Sequence, residues 1–130
     1  MTIQIQSLDH WVLTVADVKR TIDFYSMVLG MRAESFGDNR WALKFGNQKI
    51  NLHQKGHEFE PKAKYPTPGS ADLCFLVTTP IDEIVRYFET IQIPIEDGPI
   101  KRTGAQTLLL SVYIRDPDQN LIELSNPLSD

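Results

Sequence analysis

The sequence is poor in cysteine and histidine. It has one Cys and three His in 130 residues, so an internal disulfide is impossible and no cysteine cluster can hold zinc. No apolar stretch approaches the roughly 20 residues that a membrane-spanning helix needs, and the first ten residues lack the basic and apolar regions of a secretion signal. We therefore expect a cytoplasmic protein with no membrane partner. Any imidazole chemistry depends on His10, His53 and His57.

Positive charge is also scarce. The chain has 13 Lys and Arg against 17 Asp and Glu, a formal net charge of −4. Proteins that bind nucleic acid by neutralising phosphates carry an excess of basic residues, so we expect no nucleic-acid partner. What the chain does have is 42% hydrophobic residues and a length typical of one soluble domain with its own core.

The first half of the chain has the pattern of one strand, one helix and three strands. Residues 8–15 alternate between apolar and polar side chains and include β-branched residues, which predicts a strand. Asp17 is a suitable N-cap for a helix over residues 18–29, closed by Gly30. Glycine- and asparagine-containing turns then separate three extended segments, at residues 31–36, 40–45 and 48–53.

The second half repeats this pattern after a polar, proline-rich stretch. Residues 54–70 read as a connecting arm, and residues 71–78 as a strand. Thr79 and Pro80 suggest an N-cap and first helical position, followed by an apolar helical stripe from Ile81 to Ile91. Extended segments follow at residues 93–96, 107–115 and 120–125. The predicted fold class is therefore α+β, with two tandem βαβββ modules over residues 5–53 and 71–127 that together form one domain, residues 1–130.

Alternation along the predicted strands gathers polar side chains on one face, opposite the apolar face that the helices would cover. These polar residues are His10, Asn51, His53, Ser111, Tyr113, Arg115 and Glu123. Glu123 lies inside an apolar run, where a carboxylate is costly unless it is solvated, paired or bound to a metal. Each residue also has a plainer interpretation: His10 as a hydrogen-bonded structural residue, Glu123 as a solvent-facing residue, His57 as part of the solvated arm.

Three motifs and the paired modules resemble one superfamily. The motifs are LDHWVLTV at residues 8–15, TIDFYSMVLGM at residues 21–31 and DPDQNLIELSNP at residues 116–127. Together they resemble the vicinal oxygen chelate superfamily, which includes glyoxalase I, bleomycin and fosfomycin resistance proteins and extradiol dioxygenases. Residues 48–75 further resemble small glyoxalase-domain proteins, some of them virulence-associated and similar to lactoylglutathione lyase. The resemblance implies curved, cup-shaped mixed sheets with the helices outside.

The resemblance also implies a divalent metal ion, of which Zn, Ni, Mn and Fe all remain open. Its ligands would be His10 from the first strand, Asp72 from the first strand of the second module and Glu123 from the last strand. Asp72 stands where the superfamily usually has a histidine, and Asn51 stands where glyoxalase I has a further carboxylate. Two carboxylates and one imidazole are still a reasonable set for a divalent cation.

The predicted function is a metal-dependent enzyme acting on a small oxygenated substrate, with isomerisation like that of lactoylglutathione lyase as the first candidate. Glu123 would be a ligand and a catalytic base, and His53 a second base. Substrate contacts would come from Asn51, Ser111, Tyr113 and Arg115. An anionic group could be held by Arg115 or by Lys101 and Arg102, unless the last two belong to a solvated loop.

A non-catalytic protein that binds an antibiotic or metabolite, as resistance proteins do, is the alternative. In that case the polar face would bind its ligand by hydrogen bonds and aromatic contacts, without metal. Several superfamily members need two chains to complete each cup, so we expect a homodimer. The proline-rich arm would permit exchange of modules between the chains, and whether this occurs is left open by the sequence.

Overall fold

The computed structural model describes residues 1–128. The chain divides into two compact units, residues 1–68 and a second unit that begins at residue 69, and each contains one of the predicted modules. The division falls inside the predicted connecting arm. No helix or strand occurs between Lys55 and Ala71, as the composition of that stretch predicts.

The first unit has the predicted order of elements. It consists of β1 (His10–Val15), α1 (Val18–Met27), β2 (Arg32–Phe36), β3 (Arg40–Phe45) and β4 (Gln48–Gln54). The strands form one mixed sheet in the order β1-β4-β3-β2, in which β1 and β4 are parallel and the other pairs antiparallel.

The second unit repeats the same topology with different residues. It consists of β5 (Asp72–Leu76), α2 (Ile81–Ile91), β6 (Asp97–Thr103), β7 (Leu108–Arg115) and β8 (Leu121–Pro127). The strand order is β5-β8-β7-β6, and β5 and β8 form the parallel pair. The predicted α+β fold class with two tandem βαβββ modules is therefore confirmed. Of the helices in residues 1–128, none is both long and apolar enough to cross a membrane.

Each helix packs on one face of its own sheet. We call this the helix face, and the opposite side the open face. In the first unit Leu43 and Ile50 are fully buried with Tyr25 of α1. In the second unit Ile114 and Ile122 are fully buried, and α2 packs on β7 and β8 through Phe88. The predicted alternation of faces holds along these strands, so the intervening polar residues lie on the open faces.

Two predicted helix ends differ from those in the structure. Asp17 caps α1 as predicted, because its carboxylate accepts a hydrogen bond from the Arg20 N–H at 3.0 Å. However, α1 ends at Met27 and not at residue 29. Thr79 was the wrong N-cap for α2: Pro80 occupies that position and makes no side-chain cap.

The cap that α2 lacks locally is supplied by Asn126, at the end of β8. Its Oδ1 accepts from the Ile81 N–H at 2.8 Å, and its Nδ2 donates to the carbonyls of Val77 and Thr79. The first unit has the same device with a glutamine. Gln54, at the end of β4, accepts from the Val18 N–H at 3.1 Å and donates to the Ala16 carbonyl at 2.6 Å. In each unit, therefore, one amide fastens the start of the helix to the neighbouring strand.

One predicted strand is wrong. The extended segment expected at residues 93–96 is instead β6, Asp97–Thr103, a stretch that the sequence interpretation left partly as loop. Gly98 and Pro99 look like strand breakers, but a register shift between Asp97 and Ile100 accommodates them. Gly98 has a φ of 99°, and a Cβ there would meet the Ser111 carbonyl oxygen. Glycine is thus required for β6 to approach β7.

The turn predicted at residues 116–119 is confirmed, and it is held by a buried carboxylate. Asp116 Oδ1 accepts from the N–H groups of Asp118 and Asn120, and Oδ2 accepts from Asn120 Nδ2 at 2.8 Å. Asn120 is fully buried, and its Oδ1 accepts from the Ala71 N–H at 2.8 Å. The DPDQN motif therefore joins β7, β8 and the start of β5.

Candidate functional site

A small cavity of about 340 Å³ opens on the sheet of the second unit. It contains two of the predicted metal ligands, Asp72 at the start of β5 and Glu123 in the middle of β8. The strands are adjacent and parallel, with Asp72 opposite Leu121 and Cys74 opposite Glu123. The full lining is Asp72, Glu96, Asp97, Arg102, Tyr113, Leu121 and Glu123.

Negative charge predominates in this cavity. Glu96 is paired with Arg115 through two hydrogen bonds of 2.9 and 2.8 Å, which hold the pKa of the Glu96 carboxyl below its usual value. Asp97 lies 3.4 Å from Arg102. Within residues 1–128, Asp72 and Glu123 have no such ion pair. Arg102 and Arg115 interact with Glu123 and Asp72 only through longer-range electrostatics. Two carboxylates in one cavity without a direct ion pair fit a divalent cation, and their oxygens suit a hard ion such as Mn²⁺.

Glu123 accepts a hydrogen bond from a short chain of two serine hydroxyl groups. Ser125 Oγ donates to Glu123 Oε2 at 3.3 Å, and Ser111 Oγ lies 2.6 Å from Ser125 Oγ. Both serines are fully buried. Ser111, predicted to contact substrate, is therefore placed where it orients Glu123 through Ser125. Cys74 Sγ also lies 3.3 Å from Ser125 Oγ, and partial burial raises the pKa of its thiol.

Two basic residues that were candidates for holding an anionic group have different surroundings in the structure. Arg115 was a candidate for holding an anionic group, but it is engaged with Glu96 and with the Gln119 carbonyl. Arg102, for which a position in a solvated loop was the alternative, lies on β6 and lines the cavity. Its Nε donates to the Tyr113 hydroxyl at 2.9 Å. The misplaced strand is the reason that sequence reasoning undervalued Arg102.

His10, the third predicted ligand, begins β1 in the first unit. Its Nδ1 lies 2.8 Å from the carboxylate of Asp9, and its side chain is 43% exposed. In the neutral ring this contact places the hydrogen on Nδ1 and leaves the lone pair on Nε2. A carboxylate that orients an imidazole in this way is common behind metal-binding histidines.

The complete His10, Asp72 and Glu123 set draws on both units and stays a prediction. Over residues 1–128, no three His, Cys, Asp or Glu side chains form a ready-made metal cluster. The second unit has the two carboxylates in one cavity, and the first has an imidazole in contact with a carboxylate. The residues present fit a divalent metal in chemistry and charge.

Asn51 and His53 lie two residues apart on β4, on the open face of the first unit. They are only 9% and 3% exposed, yet Asn51 Oδ1 and His53 Nδ1 have no hydrogen-bond partner. Burial, and then the charge of Arg40, lowers the pKa of His53, while Glu58 acts in the opposite direction. A neutral ring is consistent with the predicted role of His53 as a base.

Aromatic rings and basic side chains that the sequence did not single out surround this pair. The His53 ring lies edge-to-face with Phe59 at 5.5 Å, and Arg40 stacks over Phe59 at 4.4 Å. Lys49 lies over Phe36 at 4.2 Å. The arm residue Phe59 is brought here by tertiary structure alone, and no local signal in the sequence marks it.

A larger cavity of about 870 Å³ lies beside α1 in the first unit. Its apolar wall includes Ile22, Trp41, Leu52 and Phe59, and the exposed His57 lies at its rim. The solvated position expected for His57 agrees with this exposure. None of the predicted metal ligands lines this cavity.

The order of elements, the twin sheets and the sequence together define the class of protein. Residues 7–124 match the profile of the Glyoxalase/Bleomycin resistance protein/Dioxygenase superfamily, and the chain belongs to this family. The resemblance inferred from its motifs is thereby confirmed.

Two relatives are similar over nearly the whole chain. Virulence protein STM3117 of Salmonella typhimurium is 58% identical over 121 residues, which cover 93% of this chain and 84% of that protein. Glyoxalase domain-containing protein RDO1 of Mycosarcoma maydis is 54% identical over 124 residues, which cover 95% of this chain and 70% of that protein. The crystal structure of STM3117 superposes with a TM-score of 0.95 at 56% identity, covering 97% of this chain and 100% of that one.

More distant structures share the fold but differ in what they do. A lactoylglutathione lyase from Agrobacterium tumefaciens has a TM-score of 0.70 at 23% identity, covering 94% of each chain. The antibiotic-binding protein TnmS3 from Streptomyces has a TM-score of 0.73 at 19% identity, covering 98% of this chain and 100% of that one. The fold therefore does not choose between catalysis and binding, and the choice must come from the site.

Proposed function

We propose that the protein is a metal-dependent enzyme that acts on a small oxygenated substrate, with an isomerisation like that of lactoylglutathione lyase as the first reaction to test. The supporting observation is that two carboxylates, Asp72 and Glu123, lie in one cavity of the second unit without a direct ion pair. His10 completes the proposed ligand set on the strength of the family pattern and of its contact with Asp9. A bound divalent ion would supply electrophilic stabilisation of negative charge on substrate oxygen.

The protein's own groups have distinct parts in this proposal. In this isomerisation Glu123 removes the proton from the hydroxyl-bearing carbon next to the substrate carbonyl and returns it to the carbonyl carbon. The hydroxyl proton passes to the former carbonyl oxygen, so that the two oxygens exchange roles. Ser125 and Ser111 keep the Glu123 carboxylate in one orientation, since Ser125 donates to it. Tyr113 and Arg102 bind substrate oxygen atoms from β7 and β6. Asn51 and His53 contact substrate from β4. His53 acts as a second base, because its lowered pKa favours the neutral ring.

Metal content tests the ligand set directly. We expect the purified protein to bind about one equivalent of a divalent metal, and Asp72→Asn or Glu123→Gln to lower its metal affinity by about tenfold or more. Asp82→Asn removes a similar charge from the surface of α2, where Asp82 pairs with Arg86, and should leave metal content unchanged. Inductively coupled plasma mass spectrometry of the four proteins measures this. Equal metal content in all four would refute the proposed ligand set.

Activity is tested separately, on metal-loaded protein. The glutathione–methylglyoxal adduct, catechols and acyl-CoA esters represent three reaction classes of the superfamily. Turnover of the adduct that is lost in Glu123→Gln would support the first candidate. Turnover of a different substrate class, or no turnover at all, would reject the isomerisation. The result on metal binding would not be affected.

Binding without catalysis is the second candidate function. The cavity of about 870 Å³ beside α1, walled by Trp41 and Phe59, favours it, because apolar cavities of this size hold drug-sized molecules. A protein of this kind would bind a hydrophobic antibiotic or metabolite in metal-free form. Retention of ligand after chelation, together with no turnover in the screen, would favour this candidate.

The proposal also includes a homodimer and a cytoplasmic location. Members of the superfamily bind small molecules and often dimerise, and the two βαβββ modules of this chain have the same topology as theirs. The connecting arm is long enough to allow exchange of modules between chains. The single free cysteine, Cys74, suits a reducing compartment.

A further inference from the structure

Two basic side chains on the open face of the first unit lack a carboxylate partner. Lys49 Nζ lies 4.2 Å and Arg40 Cζ 5.4 Å from the centre of the same ring, that of Phe36. By contrast, Arg32 and Lys44 on the same sheet share Glu34, at 3.9 and 3.7 Å. Among residues 1–128, neither Arg40 nor Lys49 forms an ion pair with a carboxylate. Like charges brought to one ring repel each other, and a bound anion would relieve the repulsion.

The two unpartnered polar atoms described above lie on the same face. Asn51 is flanked by Lys49 and His53 at alternate positions of β4, so the three side chains point to one side. Asn51 Oδ1 can only accept a hydrogen bond, and His53 Nδ1 can donate or accept according to its tautomer. Both atoms are buried without a partner. Buried polar atoms are normally satisfied, so the pair indicates a ligand that brings a hydrogen-bond donor.

The arm joins these groups into one cluster. Phe59 contacts both the His53 ring, at 5.5 Å, and the Arg40 guanidinium, at 4.4 Å. The nearby carboxylate of Glu58 interacts with His53 electrostatically but is held by the Gly56 N–H at 2.8 Å. The Glu58 carboxylate is therefore bound to the backbone of its own turn, and Arg40 can pair with an anion from outside the chain.

We propose that Arg40, Lys49, Asn51 and His53 bind a small organic oxyanion that also carries a hydroxyl group. The oxyanion accepts hydrogen bonds from the Arg40 guanidinium and the Lys49 ammonium. The ligand hydroxyl donates to Asn51 Oδ1, and His53 Nδ1 contacts the same end of the molecule. The identification of this anion as the substrate rests on the proposed function. The binding of the anion itself requires no metal.

Malate and succinate are the matched probes, because they differ only by one hydroxyl group. Calorimetric titration of the protein, as purified and after treatment with EDTA, should show saturable binding of both acids, with malate bound about fivefold more tightly. Arg40→Gln should weaken malate binding by about tenfold or more, since it removes a charged donor, and Lys49→Gln should also weaken it. Arg32→Gln, which removes a cation already paired with Glu34, is the control and should bind malate as the wild type does.

A second variant and a local signal identify the site. Asn51→Leu should retain succinate binding but lose the preference for malate. In ¹H–¹⁵N spectra of histidine-labelled protein, malate should shift the ring signals of His53 and leave those of the exposed His57 in place. The inference is overturned if neither acid binds, if Arg40→Gln and Arg32→Gln bind malate equally, or if the His53 signals do not move. Binding with EDTA present but no metal at Asp72 and Glu123 would uphold this site and reject the proposed function.

Discussion

At the residue scale, His53 combines deep burial with an unsatisfied ring nitrogen. It is 3% exposed, and the groups that act on its charge are Arg40 and Glu58. Burial and Arg40 lower its pKa from the ordinary value of 6.5, so the folded protein holds the ring neutral where the unfolded chain begins to take up a proton. Its contribution to stability is therefore fully present above pH 6.5, and it is lost as the pH falls from 6.5 through the lower pKa of the folded protein.

This predicts a difference in the pH dependence of unfolding. The free energy of unfolding should rise between pH 5 and pH 7 in the wild type and rise less steeply in His53→Gln, because glutamine does not titrate. Urea titrations at several pH values measure the two slopes. His57→Gln, a change at an exposed position, should keep the wild-type slope. Identical slopes for the wild type and His53→Gln would contradict the assignment.

The residues of the candidate site differ in how far sequence could predict them. Glu123 and Asp72 were singled out because each stands at a family position on a strand. The structure brings both into one cavity, and their role as ligands stays a prediction. Arg40 and Phe59 were missed, since their meeting depends on where the arm folds back and not on any spacing along the chain. The alternation of the strand placed Arg115 on the open face correctly, but the sequence could not show that Arg115 forms an ion pair with Glu96.

At the element scale, periodicity located most strands and both helices, and it failed where contacts between distant residues decide the outcome. The strand β6 contains Gly98 and Pro99, which local rules assign to a turn; only its fit against β7 makes it a strand. The end of β8 caps α2 from 45 residues away in the chain, so no N-cap rule could predict it. Boundaries set by local turns, such as residues 116–119, were correct because Asp116 and Asn120 close that turn themselves.

The amide of Asn126 should be important for the stability of the second unit. Asn126→Ala removes the acceptor for the Ile81 N–H and the donor to two carbonyls, and we expect it to lower the free energy of unfolding by about 1–2 kcal/mol. Asn126→Asp keeps the acceptor and should lower the free energy of unfolding by less. Urea unfolding monitored by circular dichroism provides the measurement, with the exposed Gln106→Ala as control. A loss for Asn126→Ala no greater than that for Gln106→Ala would show that the cap contributes nothing.

At the scale of the whole molecule, we expect two chains in the native protein. β1 and β5 lie at the edges of their sheets, and Val12 and Leu76 on these strands are 46% and 66% exposed. Apolar residues on edge strands are typical of surfaces that associate. Sedimentation equilibrium should give about twice the chain mass of 14.8 kDa.

The matched variant for this test is Val12→Lys, which places a charge on β1 without entering the core. It should shift the protein towards the monomer if β1 lies in the interface, while Met27→Lys, at an exposed position of α1, should not. A monomer mass for the wild type at micromolar concentration would refute the dimer.

Gln54 and Asn126 have a further consequence for motion. Each unit fastens its own helix to its own sheet, with side chains of different length at equivalent strand ends. Neither fastening uses a residue of the other unit, so a helix start can loosen in one unit while its counterpart stays in place. The backbone amide hydrogens of Val18 and Ile81, each donated to one of these side chains, are thus separate reporters of the local opening of the two units, readable by hydrogen exchange within a single sample.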